Sequence, residues 1–168
     1  MTKGKHKLIG CFVGFVAVLG VIGISFTSVA QTTKKGMTWT KRIHTGQLRV
    51  DMVGCAGCDA YQGDTACTTA LPILCIKKSS APNPGVSPSG YYYGWSGGHI
   101  AITTPVVGMS LGSIAGANAI CAAQLGPDWR MAEFHDGNGG WNFWAYGDVR
   151  SDSRFWTYIN DQSNGNCF

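Results

Sequence analysis

The stretch that decides the fold is Ala117-Asn-Ala-Ile-Cys-Ala-Ala-Gln-Leu-Gly126, followed by Trp129-Arg-Met-Ala-Glu-Phe-His-Asp136. Ser110 or Ser113 can cap a helix by accepting hydrogen bonds from the amides of its first turn. The next apolar side chains recur every three or four residues and share one helix face, namely Ile114, Ala117, Cys121 and Leu125. Gly126 then ends the helix, because glycine readily adopts left-handed conformations and the proline after it cannot continue a helix. The sequence therefore predicts one helix with Cys121 facing the core.

Residues 1–30 have the pattern of a secretory signal peptide. Three lysines precede an apolar run over residues 8–26, and Ser28-Val-Ala30 supplies the small side chains that signal peptidase needs. We expect cleavage between Ala30 and Gln31. The alternative is an uncleaved membrane anchor, because the apolar run is nearly long enough to span a bilayer. Four glycines in the run and its small-residue exit favour cleavage, which would leave no stable membrane span.

The mature chain of 138 residues has the length of one domain. Ten basic and nine acidic residues remain in it, because three basic residues and none of the acidic ones belong to the signal. A net charge of +1 gives no electrostatic footprint for nucleic acid, so we expect no nucleic-acid partner. The oligomeric state is not encoded in any pattern of the sequence.

Six cysteines remain in the mature chain: Cys55, Cys58, Cys67, Cys75, Cys121 and Cys167. An even number in an exported chain predicts disulfides, and six cysteines allow about fifteen pairings. The first four form a cluster, for which a redox pair at Cys55-Ala-Gly-Cys58 and a four-cysteine zinc site are the alternatives. No helix or thioredoxin-like frame accompanies the pair, and the spacings are shorter than those of zinc ribbons. We therefore predict structural disulfides.

Composition divides the mature chain into three parts. Residues 31–78 form a cysteine-rich N-terminal segment with one apolar run, Leu71–Ile76, that predicts a short buried strand. Residues 79–90 hold three prolines and four serines and predict a linker or a long surface loop. Residues 91–168 hold 14 of the 19 aromatic residues, and alternation there predicts strands over residues 99–103, 141–146 and 155–159.

The order strand, cysteine-bearing helix, tryptophan-rich strand and final cysteine over residues 91–168 resembles C-type-lectin-like domains, here in a bacterial-type secreted protein. Gly140-Trp-Asn-Phe-Trp-Ala-Tyr-Gly147 is similar to the central aromatic strand of that family, and Phe155–Asp161 with Asn166-Cys167 is similar to its terminal strand. The resemblance implies an α+β fold, with one main helix against short antiparallel strands and disulfides as staples. It also implies a Cys121–Cys167 bridge.

Two further chemical sites are hypotheses. Gly94-Trp-Ser-Gly-Gly98 matches the Gly-x-Ser-x-Gly pattern of serine hydrolases, but a strand rather than a helix follows Ser96, so a glycine-rich turn is the preferred interpretation. Oxygen-bearing side chains near Glu133 and His135 and near the C-terminus suit calcium; the candidate ligands are Asp136, Asn138, Asn160 and Asp161. Otherwise we expect no cofactor.

Aromatic rings are the remaining sign of function, because exposed rings offer flat apolar faces to sugars and anchor protein interfaces. Most of these rings should pack in the core, but the four aromatics at residues 91–95 cannot all face inward, so some are exposed or are covered by a partner such as the cysteine-rich segment. The candidate binding residues are Tyr91, Tyr92, Tyr93, Trp95, Trp141 and Trp144. We predict a secreted or periplasmic, non-enzymatic recognition or adhesion domain that binds a glycan or a cell-surface or envelope protein. The alternatives are a structural subunit of an envelope or extracellular assembly, and an exported enzyme with a site near His135 and Asp136.

Overall fold

The structure is a computed structural model that describes Met1, residues 34–87 and residues 93–168, with Tyr93 described through its backbone alone. The expected signal peptide and two of the candidate binding residues, Tyr91 and Tyr92, lie outside the described residues. The elements in chain order are β1 (Lys35–Gly36), β2 (Thr38–Thr45), β3 (Val50–Gly54), β4 (Thr65–Ala66), β5 (Ala70–Leu71), β6 (Leu74–Lys78), β7 (Tyr93–Ile102), β8 (Val106–Val107), a 3-10 turn (Gly108–Leu111), α1 (Ile114–Leu125), β9 (Arg130–Met131), β10 (Asn142–Tyr146) and β11 (Phe155–Trp156).

Seven of the strands form one sheet in the order β11-β2-β3-β10-β7-β6-β9. Neighbouring strands are antiparallel except β10 and β7, which run parallel. Two further pairs of short strands, β1 with β4 and β5 with β8, lie outside this sheet. The edge strands β11 and β9 are two residues long each, so the sheet presents little unpaired backbone at those ends.

The predicted α+β fold, with one main helix against short antiparallel strands, is wrong. The described chain is mainly β, and its centre is the seven-stranded sheet. Strands β2, β3 and β6 come from the cysteine-rich segment 31–78, and they share this sheet with β7 and β10. All five residues of β3 are buried, so the strand lacks the alternation of polar and apolar residues that reveals a half-buried strand.

The helix prediction is confirmed. Helix α1 begins at Ile114, and the Ser113 hydroxyl oxygen accepts a hydrogen bond from the Gly116 amide at 3.0 Å. Ala117 and Cys121 are buried, while the apolar residues at the two ends are half-buried. Gly126 follows the last turn with φ of 117°, a backbone angle that glycine adopts without strain. The helix therefore begins after Ser113 and ends before Gly126, as the local sequence predicts.

Three disulfides link the six cysteines of the described chain. Cys75 of β6 pairs with Cys121 of α1, and Cys67 pairs with Cys167 near the C-terminus. The Cys121–Cys167 bridge that the family resemblance implied is therefore wrong. Strand β6 lies beside β9, which contacts the helix, so Cys75 is brought directly to Cys121. The third disulfide joins Cys55 to Cys58.

The disulfides indicate an oxidising compartment, extracellular or periplasmic, because reducing compartments keep thiols free. The part of the chain that the structure describes contains no helix with the length and apolar character needed to cross a membrane.

Candidate functional site

The site is built on one face of the central sheet. Along β10, Phe143 and Ala145 are buried in the core, whereas Trp144 and Tyr146 are half-buried. Because successive side chains of a strand point to opposite faces, Trp144 and Tyr146 lie on the side away from that core. The parallel pairing with β7 brings two more rings alongside them. We call these four residues the outer aromatic face: Trp95, His99, Trp144 and Tyr146.

Three rings of the outer aromatic face, those of Trp95, His99 and Tyr146, are in direct contact. The Tyr146 ring stacks on the His99 imidazole, with centroids 5.2 Å apart and planes at 25°. The Trp95 ring meets Tyr146 edge-on at 5.1 Å and 88°. Edge-to-face and offset stacked geometries are the favourable ones for aromatic pairs. The three rings therefore hold one another in place.

The described part of the proline- and serine-rich segment, residues 79–87, contacts this face through Ala81 and Pro82. The Trp95 indole Nε1 donates a hydrogen bond to the Ala81 carbonyl at 2.8 Å, and the Tyr146 hydroxyl donates to the Pro82 carbonyl at 3.2 Å. These bonds orient both rings and cover part of Trp95, which is half-buried. His99 stays exposed, so the His99–Tyr146 stack is the open part of the face.

Two clefts flank the stack, and both are lined by His99, Tyr146 and Gly147. The first has a volume of about 490 Å³ and is also lined by Lys77, Ser79, Ile100 and Trp129. The second has a volume of about 330 Å³ and is also lined by Arg49 and Asp148. Flat rings with a few polar groups around them are typical of small-ligand sites. A groove of about 700 Å³ elsewhere is lined without aromatic side chains, by Lys34, Lys35, Asp59, Gln62, Gly63, Ser163 and Asn164.

The structure brings together two of the six candidate binding residues, Trp95 and Trp144. Trp141 lies in a different cluster, where it packs against Phe134 with centroids 5.0 Å apart and against the exposed Tyr61 at 6.2 Å. Its φ of 73° places a bulky residue in the left-handed region, which costs of order 1–3 kcal/mol. Tyr93 pairs with Asn142 through its backbone. No pattern in the sequence points to His99 and Tyr146, because only the register of β7 and β10 makes them neighbours.

The carboxylate of Asp136, a candidate calcium ligand, is hydrogen-bonded to Arg130 and to the Glu133 amide. Both of its carboxylate oxygens accept hydrogen bonds from the Arg130 guanidinium, and one also accepts the Glu133 amide at 2.7 Å. Burial lowers the pKa of Arg130, but the hydrogen bonds and charge of Asp136 outweigh it and raise that pKa above its ordinary value. Asn138 is exposed with φ of 65°, an angle that asparagine tolerates in turns.

The other two candidate calcium ligands lie near His135 and the buried Glu133. One Glu133 carboxylate oxygen is 2.9 Å from His135 Nδ1 and accepts the Asn160 amide at 3.2 Å. The Asp161 carboxylate is 3.8 Å from His135 Nε2. Asn160 therefore contributes its backbone to this cluster, and the calcium site stays a prediction.

Ser96, the residue of the hydrolase-like pattern, is buried in β7. Its hydroxyl has no hydrogen-bond partner among the described residues. A nucleophilic serine needs a base within hydrogen-bond reach. Ser96 therefore lies within a strand and not in the glycine-rich turn of the preferred interpretation, and the described residues give it no base of the kind that a nucleophile elbow has.

A buried carboxylate that the sequence analysis missed lies at one end of β3. Asp51 is fully buried; its Oδ1 is 2.7 Å from His44 Nδ1, and its Oδ2 accepts the Val149 amide at 2.7 Å. Lys41 Nζ lies 3.9 Å from Asp51 and 3.3 Å from Asp148. Burial raises the pKa of Asp51, although the hydrogen bonds and positive charges around it oppose the shift. The one indication of this buried carboxylate in the sequence is an aspartate between apolar residues, in Val50-Asp-Met52.

His44, Asp51 and Asp148 also offer three ligand atoms that lie within 4.8 Å of one another. This is the geometry that a metal ion could use, but the Lys41 ammonium already lies between the two carboxylates. A cation in that place opposes the binding of a second one by Coulomb repulsion. The two carboxylates are therefore paired with Lys41 and His44 in an ion-pair cluster.

Comparisons of the chain with protein-family models, with curated proteins and with solved structures find no match.

Proposed function

We propose that the protein is an exported recognition domain that binds a glycan through the outer aromatic face. The observation that supports this most is the stack of the exposed His99 on the half-buried Tyr146, which lies between two clefts. A flat ring whose face is open to solvent can pack against the C–H side of a sugar ring. The half-buried Trp144 and the Trp129 ring, which lines the larger cleft, extend the apolar surface.

The polar groups around the stack suit the hydroxyl groups of a sugar. Lys77 and Ser79 line the larger cleft, and Arg49 and Asp148 line the smaller one, so both donors and acceptors are present. Ser79 Oγ is 3.3 Å from His99 Nδ1, a contact that helps to orient the imidazole. Sugars need this combination because each hydroxyl both donates and accepts hydrogen bonds, whereas the ring carbons need apolar contact.

Export to the periplasm or the cell exterior is part of the proposal. It is supported by the predicted signal peptide and by three disulfides, which persist in oxidising compartments. A structural subunit that docks by strand addition is less well supported, because the two edge strands of the sheet are short. An enzyme site at His135 and Asp136 is also less well supported, because the Asp136 carboxylate is bound to Arg130.

The experiment is a screen of immobilised glycans against the mature, oxidised protein, followed by calorimetric titration of the best binder. We expect binding in which the ligand changes tryptophan fluorescence, since Trp129 lines the larger cleft and Trp95 contacts Tyr146. Tyr61→Ala is the matched control, because Tyr61 is an exposed tyrosine of the other aromatic cluster. A glycan that binds wild type and Tyr146→Ala equally would contradict the proposal, as would a screen with no binder.

A further inference from the structure

The Cys55–Cys58 disulfide differs from the other two in what it contributes to the fold. It joins residues three apart, whereas Cys67–Cys167 and Cys75–Cys121 span 100 and 46 residues. Stabilisation by a disulfide grows with the length of the loop that it closes, so this one stabilises the fold least. Both sulfurs belong to half-buried residues on a loop after β3, whereas Cys75 and Cys121 are fully buried.

Access to the disulfide is open on the side of Gly57. That residue is exposed, has φ of 71°, and an added Cβ there would meet no atom within 4 Å. The left-handed glycine lets the chain turn back within three residues, and the absence of a side chain leaves room for an approaching thiolate. Both cysteines are half-buried, so the disulfide lies partly exposed beside this open space.

Hydrogen-bond donors surround Cys55, although the Cys58 carbonyl oxygen also lies 3.3 Å from its sulfur. The Cys58 amide points at Cys55 Sγ with a distance of 3.0 Å, and the Arg42 guanidinium donates to the Cys55 carbonyl at 3.4 Å. The Arg154 guanidinium donates to the next carbonyl along the chain, that of Ala56, at 3.0 Å. Positive charges and N–H donors beside a cysteine stabilise its thiolate, which makes it the better leaving group.

Two acidic residues face the same loop, but both are engaged. Asp59 Oδ1 accepts the amides of Tyr61 and Gln62 at 2.9 Å each. Asp64 lies 3.9 Å from the Arg154 guanidinium and accepts the Thr38 amide. The two guanidinium groups and the two carboxylates therefore balance in formal charge around this loop, and the Arg154–Asp64 contact pairs one of each.

An apolar surface adjoins the disulfide. The Cys55 amide donates to the Trp141 carbonyl at 2.8 Å, and both cysteines pack, with Trp141, against the main core. Trp141 also contacts Tyr61, an exposed ring three residues beyond Cys58. The backbone of Trp141, whose carbonyl accepts the Cys55 amide, has a strained φ of 73°, and strained residues often cluster where ligands bind. A polypeptide segment could lie on these two rings.

We propose that Cys55–Cys58 is a redox-active disulfide that oxidises a dithiol in a partner polypeptide. A partner thiolate attacks Cys58 Sγ, the Cys55–Cys58 bond breaks, and its electron pair goes to Cys55 Sγ. The partner's second thiolate then attacks the partner's first sulfur. The bond between that sulfur and Cys58 Sγ breaks, and its electron pair goes to Cys58 Sγ. The partner loses two electrons and two protons, and the protein ends with two thiols. Regeneration requires a low-molecular-weight disulfide such as oxidised glutathione.

The test uses the mature, oxidised protein and a synthetic peptide with two cysteines, in a buffer that contains oxidised glutathione. We expect the protein to oxidise the peptide at least about tenfold faster, per disulfide, than oxidised glutathione alone at the same concentration. The Cys55→Ala/Cys58→Ala double variant should lose this activity and keep its near-ultraviolet circular dichroism. Equal rates for the protein and for oxidised glutathione, or full activity in the double variant, would overturn the proposal.

Two further variants separate a redox site from an exposed structural disulfide. Arg42→Gln should slow peptide oxidation and weaken its dependence on salt, because the guanidinium that favours the Cys55 thiolate is removed. Arg150→Gln is the matched control, since Arg150 is also exposed but pairs with Asp152 away from this loop. An Arg42→Gln variant that is as fast as wild type would contradict the assigned role of the charge. Glycan binding at the outer aromatic face is independent of all these outcomes.

Discussion

The Tyr146 ring stacks on the His99 imidazole at 5.2 Å, and this contact joins β10 to β7, the one parallel pair within the described seven-stranded sheet. Register irregularity between Trp144 and Tyr146 brings His99, rather than an intervening glycine, opposite Tyr146. Irregular pairing of this kind re-aims side chains and is frequent beside functional sites. The open part of the outer aromatic face is thus a product of how two distant strands pair.

The two long-range disulfides should dominate the stability that cross-links provide. On the chain-entropy account, the Cys75→Ala/Cys121→Ala double variant should lose about 4 kcal/mol of unfolding free energy, and Cys55→Ala/Cys58→Ala about 2 kcal/mol or less. The losses differ because the Cys75–Cys121 disulfide closes a loop of 46 residues, whereas the Cys55–Cys58 disulfide closes one of three. Urea denaturation of the purified variants measures both losses. Equal losses for the two variants would contradict the account.

The Asp136 carboxylate should be a structural group. Asp136→Asn removes the charge that pairs with Arg130 and should lower the unfolding free energy by about 2 kcal/mol, a value reduced because Arg130 is partly exposed. Asp152→Asn is the matched control, since Asp152 pairs with Arg150 in full exposure to solvent. Thermal denaturation should show a lower melting temperature for the first variant and no measurable change for the second. Identical melting curves would contradict the assignment.

The buried Asp51 should make the protein less stable as pH rises across one window. Burial raises the pKa of this carboxyl in the folded protein above its ordinary value of 3.8, so the folded state binds more protons than the unfolded state between those two pKa values. The unfolding free energy then falls with rising pH through that window. Asp51→Asn removes the titrating group and should remove this slope.

The measurement for Asp51 is urea denaturation of wild type and Asp51→Asn from pH 3 upward, compared as a difference so that the other titrating groups cancel. Lys41, His44 and Asp148 surround the carboxylate and stay present in both proteins. A difference that grows in the opposite direction, with wild type gaining stability over the variant as pH rises, would show that the ion pairs lower this pKa instead.

Local features of the fold could be predicted from the sequence, whereas the pairing of distant segments could not. Helix α1, its Ser113 cap and its Gly126 stop depend on residues within one turn of each other. The strand predicted at residues 141–146 is present as β10 for the same reason. The Cys75–Cys121 bridge depends instead on β6 lying next to β9, a contact between segments that are far apart in the chain.

The candidate site was predictable in residue type but not in arrangement. Trp95 and Trp144 were singled out as binding residues, and they do share one face of the sheet. His99 and Tyr146 were not, because only the parallel register of β7 and β10 makes them neighbours. The role of Asp51 could not be predicted, because its partners His44 and Val149 lie in β2 and in the segment after β10, and no sequence motif links these segments.

The most direct test of the proposed glycan site compares two substitutions at Tyr146 by calorimetric titration with the best glycan from the screen. Tyr146→Phe removes only the hydroxyl that donates to the Pro82 carbonyl and keeps the ring on His99, so it should bind with affinity close to wild type. Tyr146→Ala removes the ring and should weaken binding at least about tenfold, since an aromatic anchor contributes more than 1 kcal/mol. If Tyr146→Ala folds and binds as tightly as Tyr146→Phe, the outer aromatic face is not the binding site.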